Sequence, residues 1–158
     1  MKTIEIPLRL EVAGYAELNA DDMVLCQAAI TATDRAYAPY SNFHVGAAIR
    51  LADGTIVEGA NQENAAFPSG MCAERSACYY AGSRYPGIAF QAIAIAARGT
   101  DGELTPQPTA PCGACRQALL EYETLAGAPV RVMLCSADNV VIAPSVASLL
   151  PLAFASFD

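Results

Sequence analysis

With 158 residues and a formal net charge of −7, the chain has the size of one domain that can bury a core without disulfide staples. It offers no Lys/Arg cluster, which argues against a polymeric RNA or DNA substrate and suits a neutral small molecule. Apolar residues make up 54%, much of it Ala, yet no run approaches the length of a membrane span.

The start, Met1-Lys2-Thr3-Ile4-Glu5, lacks an apolar signal core, so the expected location is cytoplasmic. In that reducing setting the six cysteines read as metal ligands or free thiols rather than three disulfides. Residues 3–12 alternate apolar and polar side chains, as an edge strand does, and Pro7 suits an edge. A helix is expected from Asn19 or Asp21 to about Ala36, with Met23, Leu25, Ala28, Ala29 and Ile30 at helical spacing behind a polar cap. Ala38-Pro39-Tyr40-Ser41-Asn42 breaks it. Two strands follow, Phe43 to Leu51 and Ile56 to Ala60, joined by the Asp53-Gly54 hairpin signal.

Residues 61–70 read as an irregular loop, and a helix runs from about Cys72 to Ala81, with Gly82 as its stop. Phe90 to Ala97 is almost wholly apolar, which predicts a strand covered on both faces. A Pro/Thr-rich loop leads to a helix from Cys112 to about Leu125, ended by Gly127. Val130 to Cys135 and Asn139 to Ala143 read as short strands, Ser145 to Leu150 as a short helix, and the tail carries Phe154 and Phe157. Strands alternating with helices predict a single layered α/β domain.

The chemistry concentrates in Cys72-Ala73-Glu74-Arg75 and Pro111-Cys112-Gly113-Ala114-Cys115. Both fall where a loop meets a helix, whose unpaired N–H groups favour thiolates. Three sulfurs on a tetrahedral zinc leave a fourth position open to the reacting water, and Glu74 supplies a carboxylate that need not be a ligand. This is the general pattern of zinc deaminases. The alternatives are a redox pair at Cys112 and Cys115, or a closed structural site that enlists Cys78. His44, the only histidine, sits in a strand and reads as structural. Three thiolates leave the metal unit net negative, which a guanidinium from Arg75 would offset. Asn61 and Glu63 could grip sugar hydroxyls, or serve as turn residues; Phe43 could stack on a base or fill the core. Cys26 and Cys135 read as core thiols.

Tyr40-Ser41-Asn42-Phe43-His44-Val45-Gly46-Ala47-Ala48, Asn61-Gln62-Glu63-Asn64-Ala65, the two cysteine motifs with Arg116-Gln117, and Leu149-Leu150-Pro151-Leu152-Ala153-Phe154 together resemble the homotetrameric zinc-dependent cytidine deaminases. The likeness covers about residues 20–155. It implies a three-layer α/β/α fold with a mixed five-stranded sheet, residues 1–18 being an N-terminal extension. It also implies one Zn2+ per chain on Cys72, Cys112 and Cys115, with Glu74 as proton shuttle and Arg75 as partner of the thiolates. Asn61 and Glu63 would hold the ribose 3′-hydroxyl, Phe43 would lie near the pyrimidine, and the Ala73 backbone would meet the base. Phe154 would reach a neighbour's active site. Phe67 stands where many members have Tyr, so no hydroxyl is available there.

The activity so implied is hydrolytic deamination of cytidine and deoxycytidine in pyrimidine salvage. The rivals are a related aminopyrimidine nucleoside deaminase, such as one for blasticidin S, and a structural-zinc or redox-thiol module.

Overall fold

The computed structural model describes residues 1–156; Phe157, expected in the apolar tail, lies outside the described residues. Six strands form one sheet: β1 (Glu11–Gly14), β2 (His44–Leu51), β3 (Ile56–Ala60), β4 (Phe90–Arg98), β5 (Arg131–Cys135) and β6 (Asn139–Ala143). The order is β1-β6-β5-β4-β2-β3. Only β4 and β5 run parallel; the other neighbours are antiparallel, so the sheet is mixed. Helix α1 (Ala20–Ala32) covers one face, and α2 (Ala73–Arg84) and α3 (Gly113–Ala126) cover the other. The layered α/β/α expectation is met, but with six strands rather than five, because β1 joins the edge.

That edge strand is shorter and later than the alternation at residues 3–12 predicts. β6 is five residues long, and its register gives partners only to residues 11–14. Residues 1–10 form neither helix nor strand. The Asp-Gly hairpin is as expected, with Gly54 at φ +87° and Asp53 Oδ1 accepting from the Thr55 N–H at 2.9 Å.

Asn19 caps α1, its side chain accepting from the Asp22 N–H at 2.9 Å. The helix gives way to a 3-10 turn at Thr33–Arg35. Asp22 is buried and takes Arg50 at 3.2 Å and Arg131 at 2.9 Å, tying α1 to β2 and β5. Gly82 does not stop α2, which continues to Arg84. It is instead the contact point for Tyr122, whose ring would collide with a Cβ there. Gly127, at φ +64°, does end α3. The segment expected as a short helix at 145–150 is one 3-10 turn, Ala147–Leu149. Glu123 of α3 pins that turn, accepting from the Val130, Val146 and Ala147 N–H groups at 2.8, 2.7 and 3.0 Å.

β4 is buried from Ala92 to Ala97, as its unbroken apolar run predicts. Cys26 and Cys135 are core residues on the α1 side.

Candidate metal centre and active site

Cys72 is the N-cap residue of α2 and Cys112 that of α3; Cys115 follows in the first turn of α3. The two helices lie on the same face of the sheet, so their N-terminal ends bring sulfurs forty residues apart into one cluster. Cys72 and Cys112 Sγ are 3.9 Å apart, Cys112 and Cys115 Sγ are 3.4 Å apart, and all three lie within 4.8 Å of one another. Sulfurs about 2.3 Å from a tetrahedral zinc stand roughly 3.8 Å from each other, so the cradle matches that ion. Cys78, the alternative fourth ligand, lies on the buried face of α2 in the core, and its thiol is pushed up to about 12 by that burial. It is not part of the cluster, which excludes the closed site built on Cys78.

Gly59 sets the height of this arrangement. A Cβ at that position would stand 2.5 Å from the Ala77 nitrogen and 2.6 Å from the Ala73 oxygen, so α2 lies directly on β3. Ala73, the first residue of α2, is held against the sheet with it, and so is its neighbour Cys72.

Glu74 is 5% exposed. Burial raises its carboxyl above the ordinary range, while a hydrogen bond with Cys115 and the charge of Arg75 act the other way. Burial also pushes the Cys115 thiol up, helped by the charge of Glu74. A divalent cation on the sulfurs would remove both penalties, since it favours thiolate and carboxylate alike. Arg75 Nη2 donates to Cys72 Sγ at 3.7 Å, and the Cys72 and Cys115 sulfurs hold its guanidinium firmly charged.

A pocket of about 450 Å³ opens beside the sulfurs. Cys72, Glu74 and Cys112 line it, together with Asn61 and Glu63. Ala73 lines it as well. Asn61 is committed at both ends of its amide: Oδ1 accepts from the Val45 N–H at 2.8 Å, and Nδ2 donates to the Phe43 carbonyl at 3.0 Å. One amide hydrogen remains. Glu63 accepts from the Tyr40 N–H at 2.8 Å, the Ser41 N–H at 3.3 Å and the Ser41 hydroxyl at 2.5 Å. Ser41 foremost, then Tyr40, holds this carboxyl below its ordinary value.

Phe43 contributes its carbonyl to this network, but its ring is not among the groups lining the pocket; Tyr40 and Phe67 are. Those two rings meet edge to face at 6.3 Å. Phe154 is an exposed ring whose carbonyl accepts from Gln117 Nε2 of α3 at 2.8 Å. Sequence reasoning missed the Ser41 and Tyr40 clasp on Glu63, and the Gln62–Met71 bridge that closes the loop beneath it. The only available signal was the polar run after Pro39.

Fold and site define a zinc-dependent enzyme of the layered α/β type. The sequence matches, over residues 19–126, the family described as the cytidine and deoxycytidylate deaminase zinc-binding region. The chain belongs to that family. It is 38% identical to a cytidine deaminase of Halalkalibacterium halodurans over 140 residues, 87% of this chain and 97% of that protein. A cytidine deaminase of Sporosarcina psychrophila is 41% identical over 80% of this chain and 86% of its own. Among solved structures, cytidine deaminase from Burkholderia pseudomallei superposes with a TM-score of 0.68 at 41% identity, covering 83% of this chain and 97% of that one. Cytidine deaminase from Mycobacterium tuberculosis gives 0.67 at 32% identity, covering 86% and 98%.

Proposed function

We propose that the protein hydrolyses cytidine and deoxycytidine to uridine and deoxyuridine with release of ammonia, as a step of pyrimidine salvage in the cytoplasm. The observation that carries this reading is the three-sulfur cradle with a buried carboxyl beside it, opening on a pocket of nucleoside size. Cys72, Cys112 and Cys115 would hold zinc, which when bound would supply a Lewis acid that lowers the pKa of the attacking water. Glu74 takes a proton from the attacking water as its oxygen bonds to the ring carbon that bears the amine, and gives it to the adjacent ring nitrogen; it then carries the remaining hydroxyl proton to the amine, which leaves as ammonia while the carbonyl forms. Its burial suits a group that must carry a proton at near-neutral pH.

Arg75 offsets the excess negative charge of three thiolates. Asn61 and Glu63 hold one sugar hydroxyl, the 3′ one, with the remaining amide hydrogen donating to it and the carboxylate accepting from it. The Ala73 backbone faces the base, and Phe43, whose ring does not line the pocket, acts through the carbonyl that holds the Asn61 amide. Phe154 reaches the active site of a neighbouring subunit in a homotetramer. The substrate is a free nucleoside; net charge −7 gives a nucleic acid nothing to hold.

The test combines metal analysis with ammonia release from cytidine on one sample. Wild type should carry one zinc per chain and release ammonia. Glu74→Gln should keep the zinc and lose a factor of roughly 10²–10⁴ in turnover. Metal without ammonia, or a Glu74→Gln variant of near wild-type rate, would overturn the assignment.

A further inference from the structure

Residues 2–10 continue the alternation of β1 towards the N-terminus with no partner in the chain's own sheet. Ile4, Ile6, Leu8, Leu10 and Val12 are between 45% and 83% exposed. In β1, Val12 lies opposite Val141, which packs on the α2/α3 side, whereas Ala13 lies opposite the buried Val140 on the α1 side. Continued as a strand, the even-numbered aliphatic residues share the face of Val12. The intervening Glu5, Arg9 and Glu11 enter none of the ion pairs among the described residues. β1 itself is the end of the sheet, so its outer edge carries unpaired backbone groups.

We infer that this segment is a self-complementary arm, and that the arms of two copies pair antiparallel about a two-fold axis through Pro7. One register suits positions 4–10. With Pro7 opposite Pro7, Glu5 falls opposite Arg9 twice, Ile4 opposite Leu10, and Ile6 opposite Leu8. Sliding two residues one way sets Glu5 against Glu11, a like-charge pair. Sliding two the other way leaves Glu5 facing Pro7 and Arg9 facing Thr3. A one-residue slip puts apolar side chains against polar ones on both faces.

Pro7 fits the axis because antiparallel neighbours alternate between bonded and non-bonded pairs. A residue without an N–H is tolerated where none is exchanged. Ile6 and Leu8 then exchange the central hydrogen bonds. Further out, residues 1–3 of each arm run beside Glu11, Val12 and Ala13 of the other copy and so cover most of the open edge of β1. The family match begins at residue 19, outside this segment. The pairing does not depend on what the active site does.

The test uses the full chain. In Arg9→Lys protein, a zero-length carbodiimide cross-linker joins a carboxylate only to an amine in direct contact. Residues 5 and 9 of one strand are roughly 13 Å apart, so a link between them within an extended arm cannot form. The expected product is a two-chain species on a denaturing gel, whose digest contains a peptide joining Glu5 to the amine introduced at position 9. Its absence, or that link in single chains only, overturns the inference. A second arm follows the mass over a dilution series by sedimentation. Glu5→Arg should weaken association roughly tenfold, and Glu5→Arg with Arg9→Glu should restore it. Equal association of wild type and Glu5→Arg, or a double variant no better than the single, refutes the register.

Discussion

Replacing Gly59 by Ala tests how closely the active site depends on the seating of one helix. The added methyl would stand 2.5 Å from the Ala77 nitrogen and 2.6 Å from the Ala73 oxygen, both backbone atoms that no rotamer can move aside. Ordinary contact needs about 3.4 Å or more, so α2 must rise by roughly 1 Å from β3. Overpacking of this kind costs about 1–3 kcal/mol, which in a chain of this size lowers Tm by about 2–12 °C. The greater effect is on chemistry, because Cys72, Ala73 and Glu74 begin the displaced helix. A misplacement of about 1 Å costs on the order of 10²-fold in rate. Differential scanning calorimetry, zinc content and steady-state kinetics on Gly59→Ala provide the measurement. A variant with wild-type Tm and wild-type turnover would refute the claim that this contact fixes the site.

Glu123→Ala should lose about 3–5 kcal/mol of stability, since three backbone N–H groups at Val130, Val146 and Ala147 lose their acceptor; urea unfolding checks this, and a loss below about 1 kcal/mol contradicts it. Ser41→Ala should raise KM for cytidine while barely changing kinetics on 3′-deoxycytidine, because the serine acts through Glu63 on a hydroxyl that analogue lacks. Equal losses on both substrates would reduce Ser41 to a structural residue. Burial lifts the Cys78 thiol from 9.0 to about 12, so the unfolded chain gives up this proton first as pH rises. Stability from this group is therefore intact below pH 9 and drains away towards pH 12, and Cys78→Ala should flatten that alkaline slope by up to about 1.4 kcal/mol per pH unit in chemical denaturation. An unchanged slope would remove Cys78 from the account.

The two cysteine motifs were legible because helix starts announce themselves locally, and three sulfurs of matching spacing have few other uses. The Asp53-Gly54 hairpin and the buried β4 were legible for the same reason: turn chemistry and an unbroken apolar run are local signals. What failed depended on partners. The alternation at residues 3–12 was real, but strand formation stopped where β6 ran out. Gly82 looked like a helix stop, yet its meaning lay in Tyr122 on another helix. The Ser41 clasp on Glu63 and the Asp22 junction with Arg50 and Arg131 join segments 22 to 109 residues apart, and nothing in the local pattern marks them.

The sulfur cradle also has a mechanical side. Its donors sit on the first turns of two different helices, with all of β4 and a long loop threaded between them. An ion shared by Cys72 and Cys112 closes a forty-residue circuit of chain, so its grip restrains the unfolded polypeptide much as a covalent bridge would. The atom that equips the pocket for hydrolysis thereby doubles as a rivet along the α2/α3 seam, and a cell short of the metal would hold a looser protein as well as an idle one.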